Sequence, residues 1–184
     1  FRRVLFRSRY RNNVLMKADH QPYDYDRAFS QWMSLYNAIV DEGGLVYILP
    51  SEREFQDLPY VANIGCYLPH IEEPTILVSN FYSPPRMGEE NIGVRFFDSM
   101  RYKTRMCPSY WEGEADLKWL HDNVYAAPYG IRTEKAAHKW FESNFDMEVV
   151  SIKMNDERLY HLDCVLFPVD SKRTAVATSI MDKE

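Results

Sequence analysis

The sequence predicts an α/β fold, and three observations carry that prediction. Short apolar runs bounded by turn-forming residues read as strands, and stretches of helical apolar periodicity lie between them. The order strand, strand, helix, strand also returns about every 50–60 residues. No residue-level repeat accompanies it, so the recurrence is one of element order, as in stacked βαβ layers or an α/β propeller. With 184 residues, 46% hydrophobic and 15% aromatic, the chain can bury the core that one such domain needs.

Taken in order, Phe29, Trp32, Met33, Tyr36, Ile39 and Val40 fall at helical spacing between Asp26 and Glu42, and Gly43-Gly44 supplies a left-handed stop. Leu45 to Leu49 is an apolar run closed by Pro50 and is expected to be a buried strand. Tyr60 to Leu68 and Thr75 to Ser79 are expected to pair, with Pro69 to Pro74 as the turn. Ile92, Phe96, Phe97 and Met100 mark one face of a helix over Glu89 to Arg101, weakened by Gly93. Leu117 to Leu120 and Val124 to Ala127 flank His121-Asp122-Asn123, a hairpin turn. Thr133 is placed to N-cap a helix from Glu134 to about Asn144. Strands are expected from Met147 to Lys153, from Leu162 to Val169 and from Arg173 to Ile180. Trp32, Trp140 and Phe141 read as core residues on helix faces, and Asp24, Asp26, Glu72 and Glu73 as solvated or capping groups.

Several function classes are disfavoured. No apolar run approaches the ~18–20 residues of a membrane-spanning helix, and no secretory leader is visible. Three irregularly spaced cysteines make no disulfide framework, so a reducing, cytoplasmic setting is expected. No Cys/His cluster has metal-ligand spacing, and no Gly-rich loop precedes a helix, so no cofactor is expected. Phe1 to Ser8 back-translates to a string resembling a short-read sequencing adapter and is set aside as non-native. Residues 9–184 are then expected to be a single domain lacking its C-terminal part. Without Arg2, Arg3 and Arg7 the net charge moves from -5 to -8, and an acidic chain without basic clusters argues against nucleic-acid binding.

Three segments bring together chemistry-bearing residues: Trp111-Glu112-Gly113-Glu114-Ala115-Asp116, Gly130-Ile131-Arg132-Thr133 and Tyr160-His161-Leu162-Asp163. A guanidinium is planar, permanently charged and presents donors in a fixed fork. A site for it needs in-plane carboxylates, a nucleophile for the central carbon and a proton donor for the departing amine. His161 and Asp163 are two apart on an expected strand and would share a face; a carboxylate there needs a cationic or donor partner. Cys164 would point to the opposite face as a packing residue, and Cys66 and Cys107 read as structural or surface thiols. His20, His70, His121 and His138 are dispersed and receive no role.

These segments, with Tyr60-Val61-Ala62-Asn63 and Arg86, occur in an order and spacing that resembles the pentein superfamily. The likeness is to its amidinotransferase and dimethylarginine dimethylaminohydrolase branch, close to arginine deiminase, and runs from about Asn12 to Val169. It implies a partial pentein-type α/β propeller of about three of five ββαβ units. It also implies that His161 is the general acid/base, paired with Glu112 (Glu114 being a rival), and that Asp163 binds the guanidinium. Arg132 and Arg86 would match the arginines that hold the substrate's carboxylate. Asp116 joins this substrate-binding group as support for the turn. Asn63 stands where deiminases and dimethylargininases carry an aspartate, and one carboxylate fewer around the substrate speaks against arginine itself as the substrate.

Family members attack with a cysteine near the C-terminus, roughly one repeat or more beyond Glu184. No cysteine of this chain matches it, so the nucleophile is expected outside the chain. The resemblance thus implies an enzyme that cleaves or transfers a C–N bond of an arginine-like substrate through a covalent cysteine intermediate. The alternative is a non-catalytic guanidine binder or interaction domain of the same fold. A small-molecule guanidine is the expected partner, without nucleic acid or membrane, and homo-oligomerisation is left open. His161, Asp163, Glu112 and Arg132 should converge around one cavity.

Overall fold

In the computed structural model, residues 24–177 are described. The adapter-like segment Phe1 to Ser8, His20 and the last residues of the strand expected to reach Ile180 lie outside them. Among the described residues, two complete ββαβ units follow one another, and a third begins. In the first, β1 (Gly65–Tyr67) pairs antiparallel with β2 (Thr75–Val78), which pairs parallel with β3 (Lys103–Met106) after a helix. In the second, β4 (Lys118–His121), β5 (Val124–Tyr129) and β6 (Glu148–Lys153) repeat that order and polarity. A hairpin of β7 (Leu166–Asp170) and β8 (Arg173–Val176) opens the third.

Preceding the first unit is α1 (Tyr25–Asp41), capped by Asp24, whose side chain accepts from the Arg27 N–H. The crossover helices are α2 (Glu89–Ser99) and α3 (Lys135–Phe145). Parallel strands cannot be joined by a tight turn, so each crossover needs such a helix, and the helix covers a sheet face. Gly93 is required where α2 lies close to the sheet, because a Cβ there would come within 2.6 Å of Ile64.

Three apolar clusters hold the units together. Leu58, Ile64, Phe81 and Ile92 fill the first unit. Leu68, Leu77, Trp111, Leu117, Tyr125, Ala137 and Phe141 bind the first unit to the second. Ala126, Met154, Leu162, Val165 and Leu166 bind the second to the third. Trp111 and Phe141 meet edge to face, their rings 5.2 Å apart.

Several local expectations are corrected. Leu45 to Leu49 forms no strand; it has no ladder partner among the described residues, and Leu45 is 83% exposed. Trp32 is not a core residue, since α1 has no buried residue at all, whereas Phe141 is fully buried. The N-cap of α3 is Glu134 rather than Thr133, whose hydroxyl donates instead to Asp116. His161 and Asp163 do not share a strand face. The segment Leu162–Cys164 is a 3-10 turn, and the strand starts at Leu166. This turn leaves Cys164 exposed rather than packed, while Cys66 and Cys107 are buried. The strand β3 was not anticipated, because Lys103 to Met106 lacks the apolar alternation of a half-buried strand.

Candidate active site

Each unit begins with a 3-10 turn immediately before its first strand: Val61–Asn63, Gly113–Asp116 and Leu162–Cys164. The three turns pack against one another at one end of the sheets, and this brings distant segments to one point. Gly113 makes the first contact possible. Its φ is +67°, and a Cβ there would lie 2.5 Å from the Ala62 carbonyl oxygen. Trp111, fully buried, anchors the chain just ahead of Glu112 and exchanges two backbone bonds with Asn80. Asn80 also donates from its side chain to the carbonyls of Cys107 and Pro108.

His161 sits at the junction of the turns. Its Nδ1 lies 2.9 Å from Asp116 Oδ1, and its Nε2 lies 3.3 Å from Glu112 Oε2. The Asn63 carboxamide is 3.0 Å from the same Nε2. The amide atom there is Nδ2, which donates to the Glu112 carbonyl at 3.5 Å. Burial works against a charged imidazole, but the bonds to Asp116 and Glu112 outweigh it and lift its pKa to about 9. Burial would likewise raise Glu112, yet the His161 bond and the Arg132 charge bring it below the usual carboxylate range.

Arg132 projects from the turn after β5. Its Nη1 donates to Glu112 Oε1 at 3.2 Å and Oε2 at 3.1 Å. Its guanidinium also lies over the Tyr160 ring, 4.8 Å from the centroid. Asp116 is fully buried and accepts from His161, from the Leu162 N–H and from Thr133 Oγ1. Both of its oxygens are thus engaged in fixing the imidazole and the third turn. That makes Asp116 an orienting group rather than an open ligand for a guanidinium.

Arg86 occupies the equivalent position after β2, and it too pairs with a buried glutamate. Its Nε and Nη2 donate to Glu89 Oε2 at 3.0 Å and 2.6 Å. Nη2 also reaches the carbonyls of Asp57 and Tyr60, both at 3.3 Å, and the guanidinium lies over Phe81. Arg86 therefore ties down the segment that carries Asn63. Burial pushes the Glu89 carboxyl up to about 7 against the pull of Arg86, and its second oxygen has no partner.

Of the residues read from the sequence, Glu112, His161, Arg132, Asn63 and Asp116 converge. Asp163 makes no bond to them; it stands exposed on the 3-10 turn that follows His161, with its charge acting on Tyr160. Glu114 is excluded as the partner of His161, since it reaches outward to Lys118 at 2.7 Å. Sequence reasoning missed Glu89 and Asp57, which is buried, with a carboxyl raised by desolvation within the field of Arg86 and Arg132. The Arg86-Met87-Gly88-Glu89 spacing at a helix start was the available signal for Glu89; nothing local marked Asp57. All three thiols are raised by burial, Cys66 to about 12 and Cys107 to about 11, so none is a ready thiolate. Among the described residues, no group of three or more His, Cys, Asp or Glu side chains could hold a metal ion.

Two repeated ββαβ units, with acids and a histidine at their leading turns and arginines on the segments before their helices, define a pentein-type α/β domain. No protein-family model matches the chain. It is 30% identical over 165 residues to the bifunctional arginine dihydrolase/ornithine cyclodeaminase of Nostoc sp., covering 85% of this chain and 22% of that protein. It is also 30% identical over 154 residues to the dimethylarginine dimethylaminohydrolase of Mycobacterium tuberculosis, covering 84% of this chain and 49% of that one. The chain thus spans between about a fifth and a half of these relatives. Among solved structures it matches the product-bound N-terminal domain of an arginine dihydrolase from the cyanobacterial ornithine-ammonia cycle. That match has a TM-score of 0.85 and 26% identity, and covers 95% of this chain and 63% of the other. A dimethylarginine dimethylaminohydrolase adduct, TM-score 0.69 and 15% identical, shares the fold. The chain is thus similar to arginine dihydrolases and dimethylargininases and shares their pentein-type fold.

Proposed function

We infer that the chain is the acid–base and substrate-holding part of an enzyme acting on a C–N bond of an arginine-like guanidine. The observation that carries this reading is a buried imidazole clasped between Asp116 and Glu112, beside Arg132. Such a ring holds its proton at neutral pH and can give it up when an amine departs. In the reaction proposed, a thiolate attacks the guanidinium carbon and forms a C–S bond. The C–N bond to the leaving group then breaks, and that nitrogen takes the proton from His161. The neutral imidazole next removes a proton from water, which displaces the thiol from the covalent thiouronium intermediate. An amine in place of water would make the same step an amidino transfer.

Arg132 is assigned to the anionic tail of the substrate and Asn63 to the polar wall beside His161, while Arg86, buried against Glu89, braces the segment that carries Asn63. Asp163, exposed on the turn after His161, is assigned to the substrate's guanidinium. The nucleophile is assigned to a cysteine outside residues 1–184, because none of the three thiols bonds to the His161 imidazole: Cys66 faces the Leu117 carbonyl, Cys107 is buried and Cys164 turns to Asp163. Solved relatives include an arginine dihydrolase domain with a cysteine-to-serine substitution bound to substrate, and a second relative with a cysteine-to-alanine substitution bound to L-arginine. Residues 9–184 are read as one domain, and three unpaired cysteines suit a reducing, cytoplasmic compartment. The second reading is a guanidine-binding domain without catalysis.

The test is an assay of the protein encoded by the extended reading frame. L-arginine, methylated arginines and agmatine would be offered, and released ammonia or amine measured. Turnover lost on His161→Asn supports the enzyme. A downstream frame without cysteine, combined with tight L-arginine binding and no turnover, supports the binder.

A further inference from the structure

Tyr160 stands directly before the histidine, and none of the steps above uses it. Its ring centroid lies 4.8 Å from the Arg132 guanidinium carbon. It also lies 4.7 Å from the centroid of the His161 imidazole, the two rings tilted by 57°. One aromatic ring therefore touches both cations that share Glu112. Arg132 and His161 attract Glu112 and repel each other. Glu112 is fully buried, and the Arg132 and His161 side chains are only 13% and 8% exposed, so water screens that repulsion poorly. An aromatic face carries negative charge density and is attracted to a cation above it.

We propose that Tyr160 is a positioning residue: its ring holds the Arg132 guanidinium and the His161 imidazolium side by side on Glu112, fixing the distance between the group that binds a ligand's anionic tail and the group that handles its guanidine. The proposal rests on the functional reading above for what those two groups contact. The packing itself does not depend on it. The groups facing His161 are Glu112 and Asp116 from the second unit and Asn63 from the first, and Tyr160 closes the remaining side. The ring, not the hydroxyl, is the part that acts. The consequence for specificity is a ruler: guanidines whose carboxylate sits at the arginine spacing fit, and those without one lose the Arg132 contact.

Nuclear magnetic resonance on the full chain tests this without any ligand. In the wild-type protein, Tyr160 ring protons should show cross-relaxation to both the Arg132 side chain and the His161 ring, with ring-current shifts on the Arg132 methylenes. Absence of either contact overturns the proposal, whatever happens to the variants. Tyr160→Phe should keep both contacts and the His161 titration midpoint. Tyr160→Leu should lose the Arg132 shifts and lower the His161 midpoint by about half a pH unit, roughly a threefold loss of proton affinity. An unchanged midpoint in a folded Tyr160→Leu protein overturns the proposal, as does a Tyr160→Phe variant that behaves like Tyr160→Leu. Calorimetry with L-arginine and agmatine is a separate arm. Failure of wild-type protein to bind L-arginine counts against the functional reading alone.

Discussion

His161 carries its proton through neutral pH because two buried carboxylates reach it, one on each nitrogen. A histidine whose folded pKa stands near 9, above the ordinary 6.5, binds more protons in the folded state. Its stabilising contribution is therefore complete below pH 6.5 and disappears as pH rises through about 9. Urea unfolding at pH 6.5 and at pH 9.5 should differ by roughly 2–3 kcal/mol from this group, and His161→Asn should flatten that slope. Glu89 acts in a lower window. An acid raised from 4.5 to about 7 loses its stabilising contribution across that interval as it ionises. Replacing Asp116 by Asn should be more damaging than either titration. It removes a charge that three donors serve and leaves the imidazole half-paired, at a cost of about 3–5 kcal/mol in urea unfolding.

At the scale of elements, the site depends on the leading turns fitting against one another. Gly113→Ala places a methyl group against the backbone of Ala62 and Asn63, at 2.5–2.6 Å, on a residue with φ +67°. The turns must then separate, and the expected loss is about 2–4 kcal/mol with displacement of Asn63 from His161, read by thermal unfolding and histidine chemical shifts. The helices and the β4–β5 hairpin were legible in the sequence, because apolar periodicity and the Asp122 turn mark them locally. The turns were not. Leu162 to Val169 is apolar enough for a continuous strand, yet its beginning coils into a 3-10 turn closed by the Val165 N–H on the Leu162 carbonyl and held by the Leu162 N–H on Asp116, a partner from another unit. For the same reason Asp163 looked like a buried ligand from its neighbours and stands exposed in the fold. Glu112 and His161 were found by motif, but the double clasp on the imidazole, with Asp116 as its second arm, belongs to tertiary structure.

For the whole molecule, the distribution of apolar surface is uneven. The three clusters are tightly buried, whereas α1 buries no residue and leaves Phe29, Leu35, Ile39 and Val40 between 41% and 61% exposed. Leu45, Tyr47 and Ile48 continue this exposure beyond the helix. Such a flank should bind a hydrophobic fluorescent dye while the native near-ultraviolet signal is retained. The double substitution of Leu35 and Ile39 by Ser should reduce that binding and shift global stability by less than about 1 kcal/mol, since neither side chain is in a cluster.

The alternation Arg132, Glu112, His161, Asp116 has a thermodynamic consequence for any cation that arrives there. Two acids already face two bases, so a guanidinium that claims Glu112 must displace either Arg132 or the imidazole's proton. Displacing the proton would release it into solution. Because the departing nitrogen needs that proton on His161, Arg132 is the partner expected to yield, and the heat of L-arginine binding should be the same in phosphate and Tris despite their different ionisation enthalpies.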